Sequence, residues 1–187
     1  MAEVVTPFLF GWKLVEVVVH DDQLSLRSGT VGVIVDVDDE ARCFKHEQHH
    51  PPVANCACGF FAKAKSESLV LYAHYPFSHL LEVELSGRTK VGRDDIRAQY
   101  QRALRLLLLP HCYRCGQTAT VLGEPAVRDG RGEVFPDPAL TSMCEECAGA
   151  RWWLLDEVAS QLAMPVSWAL PSEGLVLHGV GMNLGDH

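Results

Sequence analysis

The sequence predicts an α+β fold in two parts: a β-rich N-terminal domain closed by one connecting helix, and a C-terminal cysteine-rich finger. Three observations support this prediction. Apolar and polar residues alternate through much of the first ninety positions, as they do in strands. A segment after residue 93 carries apolar residues at helical spacing. Two Cys-x-x-Cys pairs follow Pro110, so we place the domains at residues 1–109 and 110–187.

The N-terminal strands are predicted from short β-branched and aromatic segments. Residues 8–20 are rich in valine, and "GTVGVIVDVDD" alternates before it ends in an acidic turn. "SLVLYAHY" and "HLLEVELSG" have the same character and are bounded by residues that favour turns. Gly87 and Gly92 flank "RTKV", where we expect a hairpin to close.

The connecting helix is predicted over "GRDDIRAQYQRALRLLLLP". Asp94 can cap its N-terminus, and Pro110 ends it. Five apolar residues share one helical face at the spacing of an α-helix: Ile96, Tyr100, Ala103, Leu104 and Leu107. Arg102 and Arg105 lie away from this face, which favours a solvent-exposed polar side over a nucleic-acid contact.

The C-terminal part is predicted to contain a hairpin, a helix and an irregular tail. "TATVLGEPAVRDGRGEVF" suggests two strands with their turn at Asp129-Gly130. "CAGARWWLLDEVASQLAM" predicts a helix that ends before Pro165. Trp152 and Trp153 are adjacent, so one helix face cannot bury both, and we expect one in the core and the other near the surface.

Cys112, Cys115, Cys144 and Cys147 form two Cys-x-x-Cys pairs with 28 residues between them. Two such pairs suit a single tetrahedral zinc ion, since two intervening residues let both sulfurs converge on one ion. Gly116 supplies backbone freedom just after the first pair. Along the chain, the first Cys-x-x-Cys turn (a zinc knuckle) is followed by a hairpin and then by the second pair. This order predicts a treble-clef or zinc-ribbon-like finger, with the last two ligands on the first turn of the helix. A redox motif explains only one pair, and an iron–sulfur cluster is the weaker alternative.

A second group of cysteines and histidines lies between residues 43 and 58. Its members are Cys43, His46, His49, His50, Cys56 and Cys58. Three thiols need one more donor to complete a tetrahedral site, and each of the three histidines is a candidate. The alternative is a set of free cysteines with solvated histidines. We expect a Cys3His site here, and therefore two zinc ions per chain.

This region also carries a recognisable pattern over about residues 10–107. The residues that carry it are Cys43, His49, Pro52, Cys56, Cys58, Gly59, Phe60, Phe61, Ala62, Val83, Leu85, Gly87, Arg97, Ala98 and Tyr100. They resemble an uncharacterised bacterial family with a cysteine, then H-x-x-P-x-x-x-C-x-C-G-[IVF]-[YF]-A, then V-x-L-x-G, then R-A-x-Y on a helix. The resemblance implies no activity. It implies His49 as the fourth ligand, ahead of His46 and then His50.

The composition and the N-terminal sequence indicate which partners and which cellular location to expect. The formal net charge is -8 at pH 7, with no basic half that could bind nucleic acid by bulk charge. With neither a signal peptide nor a membrane span predicted, we expect a cytoplasmic protein, and cysteine clusters in that reducing compartment are more often ligands than disulfides. Seven cysteines are also an odd number, so a complete set of disulfides would leave one thiol over. Glu3, Lys13 and Glu16 interrupt the apolar N-terminus, which we interpret as a strand rather than a signal peptide, and no segment suits a membrane span.

The sequence favours a zinc-binding protein without catalytic residues, acting as a protein-interaction adaptor or a regulatory or accessory factor. A zinc-deaminase signature is missing, because His46 and Glu47 are adjacent rather than one residue apart. One alternative is a zinc-finger nucleic-acid-binding regulator, which would need its arginines on one face. The other is a zinc-dependent hydrolase that uses the first metal site, with Glu47 as general base if one metal position is open.

Overall fold

The computed structural model describes residues 8–28, 34–43, 49–65, 77–125 and 139–169. Strands account for 54% of this part and helix for 6%, so the fold is mostly β and the predicted α+β class is wrong. The elements described are β1 (Leu9–His20), β2 (Gln23–Ser28), β3 (Ile34–Val35), β4 (Asp38–Glu40), β5 (Phe60–Lys63), β6 (His79–Val91), β7 (Asp95–Leu108), β8 (Val121–Gly123), β9 (Ala139–Met143), β10 (Trp152–Trp153), α1 (Leu155–Leu162) and β11 (Val166–Trp168).

Four antiparallel strands close into a ring. β1 pairs with β6, β6 with β7, β7 with β5, and β5 with β1. Closing a sheet on itself removes the unpaired edges that an open sheet would present. The long strands continue beyond the ring, where β4 and β11 pair with β7 and where β2 and β9 pair with β1.

β7 occupies the segment for which the sequence predicts the connecting helix, and that prediction is wrong. Ile96 and Ala98 are buried while the residues between and beside them are less so, which is the alternation of a strand. Two irregularities in the pairing of β7 with β6 change the register farther along, and Tyr100 of the predicted helical face is 40% exposed. Alanine, leucine, arginine and glutamine favour helix locally. Pairing with β6 along one edge and with β5, β4 and β11 along the other outweighs that preference.

The hairpin between β6 and β7 turns later than the sequence suggests. β6 runs on through "RTKV", and the turn lies between Gly92 and Asp95, where the Gly92 N–H donates to the Asp95 carbonyl at 2.7 Å. Gly87 lies within the strand at a φ of +75°. A Cβ added there would come within 2.6 Å of the Tyr100 ring, so the glycine makes room for that ring.

One hydrophobic core joins the two predicted domains. It contains Val15, Leu81 and Leu106 of the ring together with Leu140 of β9 and Val158 of α1. Backbone pairing of β1 with β9 also crosses the predicted boundary. The described residues on the two sides of the predicted boundary at 109/110 therefore bury their apolar surfaces against each other.

The C-terminal part forms a small antiparallel sheet in the order β10-β8-β9, followed by α1. The predicted helix over residues 147–164 is too long, because α1 begins only at Leu155. The preceding tryptophans are drawn into pairing with β8 instead. Trp153 packs against the main core and Trp152 is 43% exposed, which agrees with the expected division between the two. The predicted turn at Asp129-Gly130 lies outside the described residues.

The start of the predicted tail is regular. β11 runs parallel to the end of β7, with Val166, Ser167 and Trp168 opposite Leu106, Leu107 and Leu108. Residues 170–187 lie outside the described part of the chain. Among the described residues, no helix has the length and apolar character needed to cross a membrane.

Candidate metal centres

The structure brings together all eight predicted ligands in two separate clusters. In each cluster the four donor atoms lie within 4.8 Å of one another. The first cluster consists of Cys43, His49, Cys56 and Cys58, and the second of Cys112, Cys115, Cys144 and Cys147. Both can hold a metal ion. His50 is exposed and belongs to neither cluster, and His46 and Glu47 lie outside the described residues.

The sulfur separations fit a tetrahedral ion rather than disulfides. The Sγ atoms of Cys115 and Cys144 are 3.6 Å apart, and those of Cys43 and Cys56 are 3.7 Å apart. A tetrahedron with metal–sulfur bonds of about 2.3 Å has sulfur–sulfur edges of about 3.8 Å. A disulfide would need about 2.05 Å. The remaining donor of the first cluster, Nε2 of His49, lies 3.2 Å from the Cys58 Sγ.

Two short turns present the ligands of the second cluster. After the first pair, Gly116 donates its N–H to the Cys112 carbonyl at 2.9 Å and has a φ of +73°, a conformation suited to glycine. After the second pair, the N–H groups of Cys147 and Ala148 both donate to the Cys144 carbonyl at 3.0 Å. The prediction that the last two ligands sit on the first turn of a helix is wrong, since α1 starts well after Cys147. The four ligands lie on two short turns beside the small antiparallel sheet.

The second cluster is part of a hydrophobic core of its own. Cys112 is 2% exposed and Cys144 is 8% exposed, and both pack with Val121 and Met143. The Tyr113 N–H donates to the Ser142 carbonyl at 2.9 Å, which ties the first knuckle to β9. Two ligands therefore lie inside the packing, while Cys115 faces solvent.

The thiols of Cys112 and Cys147 in the second cluster differ in pKa. Burial raises the pKa of Cys112, but hydrogen bonds from the backbone N–H groups of Cys144, Cys115 and Arg114 outweigh burial and bring it to about 7. The neighbouring Cys144 thiol, with burial and the other sulfurs, raises the pKa of Cys147 to about 12. Four sulfurs this close resist joint ionisation unless a positive ion lies between them.

The first cluster is built on a loop that lies against the outside of the ring. Cys43 follows β4, and residues 49–59 lead into β5. Gly59 has a φ of +106°, and a Cβ there would lie 3.0 Å from the Pro52 Cβ and 3.1 Å from the Ala98 carbonyl oxygen. The glycine thus lets the loop approach β7 closely. All four ligands are half-buried, and burial raises the pKa of Cys58.

Two basic side chains of the four-stranded ring donate hydrogen bonds to the backbone of this loop. Arg97 of β7 donates through Nη1 to the carbonyl oxygen of Cys56, and the same nitrogen lies 3.5 Å from the carbonyl oxygen of Cys58. Lys90 of β6 donates to the Ala54 carbonyl at 3.4 Å. Sequence reasoning assigned neither residue a part in the site. Spacing identifies ligands, but it does not identify groups that bind the backbone between them.

A cavity of about 380 Å³ lies apart from both clusters, on β4, β6 and β7. Its lining includes Asp38, Glu84 and Tyr100, and no ligand of either cluster lines it. Beneath this region Lys13 donates to the Oε1 of Gln101 at 2.6 Å. Burial lowers the pKa of Lys13 to about 8, against the opposing charge of Asp39. The clusters and this cavity are thus separate features.

Comparisons of the chain with family models, with curated proteins and with solved structures find no match in any of the three. The resemblance of residues 10–107 to a bacterial family stays a prediction.

Proposed function

We propose that this chain is a zinc-binding, non-catalytic protein that presents a surface to another protein, as an adaptor or as a regulatory or accessory factor. The observation that carries the proposal is the convergence of eight sulfur and nitrogen donors into two closed sets of four. Thiolate and imidazole donors favour zinc over hard cations such as magnesium and calcium. Four protein ligands leave no position for a water, so both ions stabilise structure.

The partner surface that we propose lies at the start of α1. Trp152 is 43% exposed and Leu154 is 47% exposed, and both belong to the short segment between the second cluster and the helix. Large exposed apolar side chains of this kind commonly anchor protein contacts. Residues 166–177 follow α1 and complete the segment that we expect a partner to contact.

Three of the described arginines are held by carboxylates, which favours a protein partner over a nucleic acid. Arg102 pairs with Glu84 at 3.1 Å and Arg105 pairs with Glu82 at 2.5 Å. Arg151 pairs with Glu124 at 3.4 Å and lies over the Trp153 ring. Side chains held by carboxylates offer little free positive charge to phosphates.

The zinc proposal is tested by elemental analysis of protein purified without any chelator. Two zinc ions per chain are expected. One ion or none would contradict the two-site proposal, and iron with visible absorption would point to cluster chemistry.

The proposed partner surface has its own test in affinity capture from the native host, with wild type compared with Trp152→Ala. A specific partner should be lost in the variant while both zinc ions are retained. Turnover of a hydrolysable substrate that stops on zinc removal would favour the hydrolase alternative instead.

A further inference from the structure

We propose that Arg97 is the positioning residue of the first metal centre, and that its guanidinium holds the Cys56-x-Cys58 segment in the conformation that binds metal. The inference rests on the proposed zinc function, because it concerns how one of the two sites is kept ready. Arg97 touches no donor atom of the cluster. It acts through the backbone of two ligands.

The contacts place Arg97 where it can control both cysteines. Its Nη1 donates to the carbonyl oxygen of Cys56 and lies 3.5 Å from that of Cys58. A carbonyl fixed in direction fixes the adjoining peptide plane, and so limits where the neighbouring Cβ and sulfur can point. One nitrogen between two carbonyls thus constrains the sulfurs on both sides of Ala57. Groups beyond the ligands commonly orient them in this way.

The strand beneath makes Arg97 a fixed support. Arg97 lies in β7, opposite Phe61 of β5 on one side and opposite Lys90 of β6 on the other. Its neighbour Ala98 is fully buried and touches the position of Gly59 through its carbonyl oxygen. The guanidinium therefore projects from the closed ring towards a loop that has few buried residues of its own.

Charge favours arginine at this position. Three thiolates and a neutral imidazole around a divalent ion carry one net negative charge. A guanidinium beside the same segment offsets that charge. Glutamine at this position would lose the charge and, being shorter, would not hold both carbonyls as the guanidinium does.

The same strand offers a matched control in Arg102. Arg102 is also on β7, is also partly exposed and also makes a polar contact, but its partner is the Glu84 carboxylate rather than the metal loop. Arg102→Gln removes one arginine charge from β7 without touching the cluster. A difference between the two variants therefore reports position and not the loss of charge alone.

The test measures zinc release and cobalt spectra in wild type, Arg97→Gln, Arg97→Lys and Arg102→Gln. A chromophoric chelator under reducing conditions should withdraw the two zinc ions in two phases. Arg97→Gln should lower the affinity for one zinc ion by roughly 10–100-fold, the range typical of groups that orient ligands, and leave the affinity for the other unchanged. The zinc affinity of Arg97→Lys should lie between those of wild type and Arg97→Gln, and that of Arg102→Gln should equal that of wild type. Protein loaded with Co²⁺ alone should show altered visible bands for one site in Arg97→Gln.

Several outcomes would overturn the proposal. These are unchanged release from Arg97→Gln, equal weakening of both ions, or an identical effect of Arg102→Gln. Unaltered cobalt bands in Arg97→Gln would mean that the ligand geometry does not depend on the guanidinium. If Arg97→Gln fails to fold, Arg97→Lys provides the test. Zinc release and cobalt bands equal to those of wild type in the folded Arg97→Lys variant would show that the planar guanidinium is not needed at this site. A wild-type protein with one zinc ion would instead contradict the two-site function itself.

Discussion

The first cluster has three cysteines and a histidine and the second has four cysteines, and the two clusters differ in how they are attached to the fold. In the second, Cys112 and Cys144 are buried among Val121 and Met143, so ligands and core are the same residues. In the first, the ligands are half-buried on a loop, and polar contacts such as that of Arg97 attach this loop to a ring that has its own core. A metal ion in the second cluster would therefore lie within a hydrophobic core, whereas one in the first would order a surface loop.

The largest contrast is expected from removing one cysteine at each site. Cys144→Ser should abolish cooperative unfolding of the C-terminal part, since structural zinc can supply about 10 kcal/mol or more of folding free energy to a small motif. Cys56→Ser should lose one zinc ion and keep the β-sheet signal. Circular dichroism melts with metal analysis check both. Loss of the sheet signal in Cys56→Ser would mean that the ring also depends on its metal.

A buried histidine at the junction of the two regions gives the next largest effect. Nε2 of His79, at the start of β6, lies 3.1 Å from the carbonyl oxygen of Leu140 in β9, and burial lowers the pKa of His79 to about 4. The unfolded chain has a histidine pKa of about 6.5 and binds the proton first, so stability is full above pH 6.5 and falls towards pH 4. The total loss is about 3 kcal/mol.

The variant His79→Gln separates this effect from acid release of the metals. Its side chain can still donate to Leu140 but does not titrate, so denaturant unfolding of wild type and variant at pH 7 and pH 5 should diverge at the lower pH. Parallel curves would show that His79 does not link the two regions through its charge.

The choice of histidine ligand sharpens the comparison for the first cluster. His49→Ala should weaken one zinc ion by roughly a hundredfold, about 2.7 kcal/mol, because a donor is lost outright. His50→Ala should bind zinc as wild type does, since His50 is exposed and outside the cluster. Competition with a zinc chelator measures both. Equal losses in the two variants would contradict the assignment of His49.

The smallest difference is expected between two glycines with similar backbone conformations. Gly59 and Gly116 both have positive φ, but a Cβ at Gly116 would meet nothing within 4 Å, whereas one at Gly59 would press on Pro52 and Ala98. Gly116→Ala should cost about 1 kcal/mol for the left-handed conformation alone. Gly59→Ala should cost about 2 kcal/mol because close packing adds to it. Chemical denaturation with both metals bound provides the values, and equal costs would place the Gly59 loop farther from β7.

Local spacing made the seven cysteine ligands predictable from the sequence, whereas the choice of His49 among three histidines came from the family resemblance. Each Cys-x-x-Cys pair presents its sulfurs through one turn, and the donors between Cys43 and Cys58 are near neighbours in the chain. Arg97 could not be predicted in the same way. Its contact with Cys56 joins residues on different elements, and only the pairing of β5 with β7 brings them together.

The fold class was mispredicted because long-range pairing decided the state of one segment. β7 has a composition that suits a helix, and the spacing of its apolar residues in the sequence also matches a helical face. Its strand state depends on partners as distant in sequence as Asp38 and Trp168. The tryptophans before α1 were misassigned for the same reason, since their strand state depends on β8.

The pairing of β1 with β9 has a kinetic consequence. Val17 and Leu140 meet across most of the chain, and contacts between residues so far apart carry a high loop-closure entropy before they return any stability. Sheets joined in this way fold more slowly than helical proteins of the same size. Leu140 enters the main core from the strand that ends next to Cys144. Joining the two Cys-x-x-Cys pairs of the second cluster closes a loop of only 28 intervening residues, so we expect this cluster to form before β1 and β9 pair.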